Sequence, residues 1–255
     1  MLQAHSLLWH YLWLAPNIFL LCLGILLWKR GLHSRFPAFV AFSILSALAE
    51  LALYAADVLP SVPPLQFWRI DWASLVLEGL LKVLVLEEIF TKVFGSYASL
   101  VKLGKTLIRA VAAIAVLVAT CAAAYAPRDG YFAVVSGAHF LEQTIYIIES
   151  VLLLFIVSFA VYFHLAWDRL AVGITVGLSI SACVHMAVWA LLANAGLPES
   201  IRNILVLGKM GTYHFCVLLW CYYVLVPKKI AMRFIPALPE NSLDLWNREL
   251  ERLLQ

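Results

Sequence analysis

Seven apolar stretches, each long enough to cross a bilayer, make up most of this chain, and several carry ionisable residues well inside them. A spanning helix needs about 20 mostly apolar residues. The candidates lie at 7–28, 37–59, 67–94, 107–126, 135–165, 170–194 and 201–226, joined by short connections. A composition of 64% hydrophobic and 13% charged residues does not fit a water-soluble domain. The sequence predicts an all-α polytopic membrane protein: a seven-transmembrane-helix bundle over 1–226 and a cytoplasmic tail over 227–255. No internal repeat stands out.

Orientation follows from Lys and Arg in the flanks of the spans. Lys29, Arg30, Arg35, Lys92, Lys102, Lys105, Arg109, Arg169, Lys228, Lys229, Arg233, Arg248 and Arg252 fall on one side. Only Arg69, Arg128 and Arg202 fall on the other, and Lys82 and Lys209 sit within spans. The richer side is expected to be cytoplasmic, which makes the bundle N-out and C-in. The net charge of +3 then reflects topology, and no nucleic-acid partner is implied. No basic region precedes the first apolar run, so it reads as a retained helix and not as a cleaved signal. Cys22, Cys121, Cys183, Cys216 and Cys221 all lie inside spans without a CxxC pair, as small core residues do.

Small residues recur at spacing four in two spans: Ala115, Ala119 and Ala123, then Gly173, Gly177 and Ser181. They are expected to pack helices together inside the bundle. The segment 87–109 mixes aromatics with lysines and suits a membrane interface. In the tail, Asn241 or Ser242 can cap a helix on which Leu243, Trp246, Leu250 and Leu253 form one apolar stripe. This short amphipathic helix is expected to lie on the membrane or under the bundle. A sharper reading makes it a docking handle for a cytoplasmic protein.

An ionisable residue inside a membrane is costly and by default marks a site. On span two, Ser43, Ser46, Glu50, Tyr54 and Asp57 share one face; on span three, Asp71, Glu78 and Lys82 do. Span five offers His139, Glu142, Tyr146 and Glu149, and span seven Arg202, Lys209, Tyr213 and Cys216. Glu50, Glu78, Glu142 and Lys209 each lie roughly 10–17 Å below the outer end of their span. The sequence thus predicts one polar site in the outer half of the bundle, drawing on Glu50, Asp71, Glu78, Lys82, His139, Glu142, Glu149 and Lys209. The rival reading is a charge network that fixes helix register and binds nothing. Glu87 and Glu88 stand apart near the cytoplasmic end, where they are expected to reach water or Lys92.

Sharper chemistries fare less well. A b-type haem needs two facing histidines at one depth. His139 and His164 are too far apart along one helix, about 37 Å, and His185 and His214 are offset along the normal by about 6 Å. A retinal protein needs a lysine in the last helix and a carboxylate in the third. Lys209 and the string Arg69-Ile70-Asp71-Trp72 resemble the microbial rhodopsin pattern for one turn only, and Leu205 replaces the aspartate expected four residues before the lysine. There is no HExxH, GxSxG, paired-histidine ligand spacing or Gly-rich phosphate loop. No cofactor or metal is expected, and an enzyme is disfavoured.

Leu32-His33-Ser34-Arg35-Phe36-Pro37, the run Glu88-Ile89-Phe90 with Val93, Phe94 and Tyr97, and the closing LPENSLDLWNRELERLL carry a resemblance over nearly the whole length. By them the chain resembles a group of seven-helix bacterial inner-membrane proteins of the acidobacterial type, for which no activity is established. The layout is also similar to the seven-helix sensor region of some bacterial histidine kinases; with no kinase domain before Gln255, sensing is expected to require a separate partner. The leading expectation is a non-enzymatic sensor or accessory subunit of the bacterial inner membrane. The alternative is a small-solute or proton-coupled transporter, against which the absence of repeats and of mid-span helix breaks counts.

Overall fold

The computed structural model describes residues 6–59, 62–95, 97–125, 130–162, 165, 167–192, 197–226 and 252; 115, 116, 118–125 and 130–139 are described by their backbone alone. The described residues form seven α-helices: α1 (Leu7–Lys29), α2 (Pro37–Val58), α3 (Pro64–Val93), α4 (Ala98–Tyr125), α5 (Gly130–Tyr162), α6 (Arg169–Leu192) and α7 (Glu199–Leu225). The expected tail helix lies outside the described residues.

Helix ends follow local chemistry. The Ser6 hydroxyl accepts the Trp9 N–H at 3.3 Å and starts α1. Gly31, at φ 71°, turns the chain after α1 in the left-handed conformation that glycine tolerates best. Pro37 and Pro64 open α2 and α3 from the first turn, where a missing N–H costs nothing. No side chain of its own caps α2. Glu88 of α3 does so instead, its carboxylate accepting the N–H groups of Ala38 and Phe39 at 3.1 and 3.0 Å. Glu87 pairs with Arg109 of α4 through two bonds of 2.6 and 2.9 Å. Glu88, half-buried, also lies within reach of the Lys92 charge, as expected, whereas Glu87 is buried against Arg109, a partner the sequence did not point to. The expected interfacial segment 87–109 is likewise divided: it holds the end of α3, a turn and the first three turns of α4.

Among the described residues, five helices are long and apolar enough to cross a bilayer: α1, α2, the 140–162 portion of α5, α6 and α7. The outer surface is apolar too, with Ile114, Leu117 and Leu154 more than 60% exposed. A water-soluble protein does not tolerate such a surface, so the fold is consistent with an integral membrane protein. α3 is equally long, but Arg69, Asp71, Glu78, Lys82, Glu87, Glu88 and Lys92 lower its hydropathy.

Six helices close a ring in the order α1, α2, α3, α5, α6, α7 and back to α1; α4 packs outside it, against α3 and α5. The ring is filled unevenly. One half is solid: Leu20, Leu27, Phe36, Phe39, Phe42, Ile89, Phe94, Ile156 and Trp220 are fully buried there. Gly173 and Gly177 make room for this packing, since a Cβ on them would lie 2.4 Å from Tyr223 and 2.2 Å from Trp220. The expected internal use of that small-residue stripe is therefore seen at the α6–α7 contact. The alanine stripe of α4 falls among side chains that are not described.

Candidate functional site

The other half of the ring encloses a cavity of about 340 Å³. All six ring helices line it: α1 with Trp9, Trp13 and Asn17, α2 with Ser46 and Glu50, and α3 with Trp68, Asp71 and Glu78. Glu142 and Tyr146 come from α5, His185 from α6, and Lys209 and Tyr213 from α7. These positions lie toward the N-terminal ends of α1, α3, α5 and α7 and the C-terminal ends of α2 and α6. Alternating helix directions bring those ends together on one side of the bundle.

Of the residues the sequence proposed, Glu50, Asp71, Glu78, Glu142 and Lys209 line this cavity. Lys82 and Glu149 lie deeper, their side chains 5% and 1% exposed. The Lys82 ammonium is 2.9 Å from Glu78, one turn earlier on α3, and 3.0 Å from Glu149 of α5. It also sits 3.9 Å from the centre of the Tyr146 ring. This buried cation thus holds two carboxylates and an aromatic face, tying α3 to α5 at the cavity floor. The Glu149 contact is one of charge and distance, since neither of its oxygens meets hydrogen-bond geometry. The side chain of His139 lies outside the described residues. Arg202, assigned to the span-seven face, is exposed and does not line the cavity.

On the opposite wall the Lys209 ammonium donates to Glu142 at 3.2 Å. His185 bridges the two ion-pair groups. Its ring stacks on Tyr146 at 3.9 Å, and its Nε2 lies 3.9 Å from the same Glu142 oxygen. Its Nδ1 is 3.1 Å from the Ser181 carbonyl; a carbonyl only accepts, so Nδ1 carries the hydrogen. From Lys209 through Glu142, His185, Tyr146 and Lys82 to Glu78 and Glu149, polar groups run across the ring in one connected series. Across from them, the Trp13 indole donates to Glu50 at 3.0 Å. The Asn17 amide nitrogen donates to the Trp13 carbonyl at 2.8 Å, which fixes the amide's orientation.

Sequence reasoning missed the contributions of α1 and α6. Trp13 and Asn17 sit in a span with no acidic or basic residue between His10 and Lys29, and the sequence offers His185 only as a haem-ligand candidate. Asn17 after Pro16, deep in an apolar run, was the available signal. His185 and His214 do not face each other: the His214 ring packs with Tyr11 and Phe19 at the α1–α7 contact. Among the described residues no three His, Cys, Asp or Glu side chains gather as a metal site would require. Comparison with protein-family models, with curated proteins and with solved structures finds no match to this chain.

Proposed function

We propose that the chain is a seven-span bacterial inner-membrane protein, N-out and C-in, that serves as a non-enzymatic sensor or accessory subunit. Its cavity would receive a small polar solute from outside, and its cytoplasmic end and tail would engage a protein partner. One observation carries this reading: the same six helices that wall the polar cavity continue into a solid, aromatic-filled half. A ligand that favours one arrangement of the walls then shifts the far ends of those helices as well, provided it binds the two arrangements unequally. Arg30, Arg35, Lys92 and Arg169 lie at the solid end, which the positive-inside rule assigns to the cytoplasm.

Two measurements test it. Reporter fusions at Pro127 and after Gln255 should lie on opposite sides of the membrane; a shared side would sink the topology. In a background lacking the native cysteines, Met210→Cys in the cavity wall should react with a membrane-impermeant thiol reagent added outside. Val217→Cys in the solid half should not react from either side. Reaction of Met210→Cys from both sides would favour the transporter, because alternating access exposes one site to each face in turn.

A further inference from the structure

We propose that the cavity holds the ammonium group of a small organic amine, an inference that rests on the outward-facing cavity proposed above. Four carboxylates, Glu50, Asp71, Glu78 and Glu142, face one lysine, Lys209, across its walls. That lysine is engaged by Glu142, and Glu78 is engaged by Lys82 beneath. Among the described residues, no lysine or arginine stands within 4.0 Å of Glu50, whose one hydrogen bond comes from a neutral indole. Glu50 is therefore a wall carboxylate with no cation beside it among the described residues, and a low-dielectric cavity draws a cation to such a group.

Two further groups say what kind of cation. Asn17 and Ser46 line the same cavity at 2% and 5% exposure, and neither Asn17 Oδ1 nor Ser46 Oγ has a hydrogen-bond partner among the described residues. With one amide N–H bound to the Trp13 carbonyl, the orientation of Asn17 is set, and the atom left unsatisfied is its acceptor oxygen. Buried polar atoms are normally satisfied, so the site calls for a ligand that donates hydrogen bonds as well as carrying positive charge. A primary ammonium, with three donors and no acceptor, fits that set; a quaternary ammonium does not. The indole and phenol rings of Trp9, Trp13, Trp68 and Tyr213 suit both the cation and an attached apolar body. A volume of about 340 Å³ admits a small organic molecule.

The test is calorimetric titration of the purified full chain in phosphatidylcholine nanodiscs with 2-phenylethylamine, 1,4-diaminobutane and ethanolamine. At least one should bind, and its N-trimethylated analogue should bind about tenfold more weakly or worse. Glu50→Gln keeps the shape of the side chain and the Trp13 contact but removes the charge, and should weaken binding about tenfold or more. Should that variant fail to fold, Ser46→Ala serves in its place with a smaller loss. An ammonium reaches the cavity either on a free amine or on an ethanolamine lipid headgroup. Adding phosphatidylethanolamine to the nanodiscs suppresses amine binding only if the headgroup occupies the cavity.

The proposal is overturned if none of the three amines binds the folded protein, if 2-phenylethanol binds as well as the amine, or if Glu50→Gln binds unchanged. Labelling of Met210→Cys separates the two levels. Outside labelling without amine binding removes the amine and leaves the outward-facing cavity standing. Amine binding without outside labelling does the reverse.

Discussion

The cavity half and the solid half of this bundle are made from the same six helices, yet they hold together by different means. In the solid half, Phe39 and Phe42 each meet the Trp220 ring edge-on, at 5.5 and 6.1 Å, and glycines of α6 let the α7 aromatics close in. In the cavity half, helices are held apart and joined by charges: α3 to α5 through Lys82, and α5 to α7 through Lys209. Lipid offers no hydrophobic drive for helix association, so close packing must supply cohesion where it can. The solid half supplies it, which lets the other half keep an open interior lined with groups that would otherwise be costly.

The contrast predicts where the bundle is most easily broken. Lys82→Met should have the largest effect, because it leaves Glu149 buried with no cation; removing one partner of a buried pair costs about 3–5 kcal/mol. The expected outcome is a large drop in thermal midpoint in detergent, with much of the loss recovered when Glu149→Leu is added. A Lys82→Met protein as stable as the parent would show that the floor charges do not hold α3 to α5. In the solid half the matching insult is Gly177→Ala. Its new methyl meets the Trp220 indole, and overpacking of this kind costs about 1–3 kcal/mol. Trp220→Phe should relieve it, and a midpoint unmoved by either change would mean that the two helices can separate freely.

Lys209→Met should cost less than either, about 1 kcal/mol. The Lys209 and Glu142 side chains are 25% and 17% exposed, so water from the cavity can hydrate the carboxylate left behind. Salt should weaken the parental pair in the same measurement, because a cavity open to solvent is screened. A loss as large as that of Lys82→Met would mean that the upper cavity is as dry as its floor.

Much of this architecture was legible in the sequence, for reasons of span length and period. Apolar stretches of 20 residues or more leave little choice but helices, and spacings of three and four place Glu50, Glu78 and Lys209 on definite faces. The i, i+4 order of Glu78 and Lys82 marked an ion pair directly. What the sequence withheld was the ring order. Nothing local says that α4 is excluded and that α3 sits beside α5, which is what puts Glu149 against Lys82. The same ignorance hid Trp13 and His185, each unremarkable on its own helix, and left Asn17 a polar residue in an apolar run with nothing to say what faces it. The capping of α2 by Glu88 was missed for a related reason, since a helix cap supplied by another helix leaves no mark in the capped segment.

The smallest expected effect is also a sharp test of the two-half division. α7 carries glycines of its own in the cavity half, Gly208 and Gly211, and a Cβ built on either meets nothing within 4 Å. On the same helix Trp220 is what the neighbouring glycine of α6 cannot approach more closely. Replacing Gly208 or Gly211 by alanine therefore adds no clash, while it removes backbone freedom from the unfolded chain and favours helix by about 0.5–1 kcal/mol. The midpoint of either variant should stay level or rise slightly, in contrast to the fall for Gly177→Ala. A fall of similar size at Gly208 or Gly211 would mean that the cavity walls come together in the working protein, leaving α7 packed along its whole length.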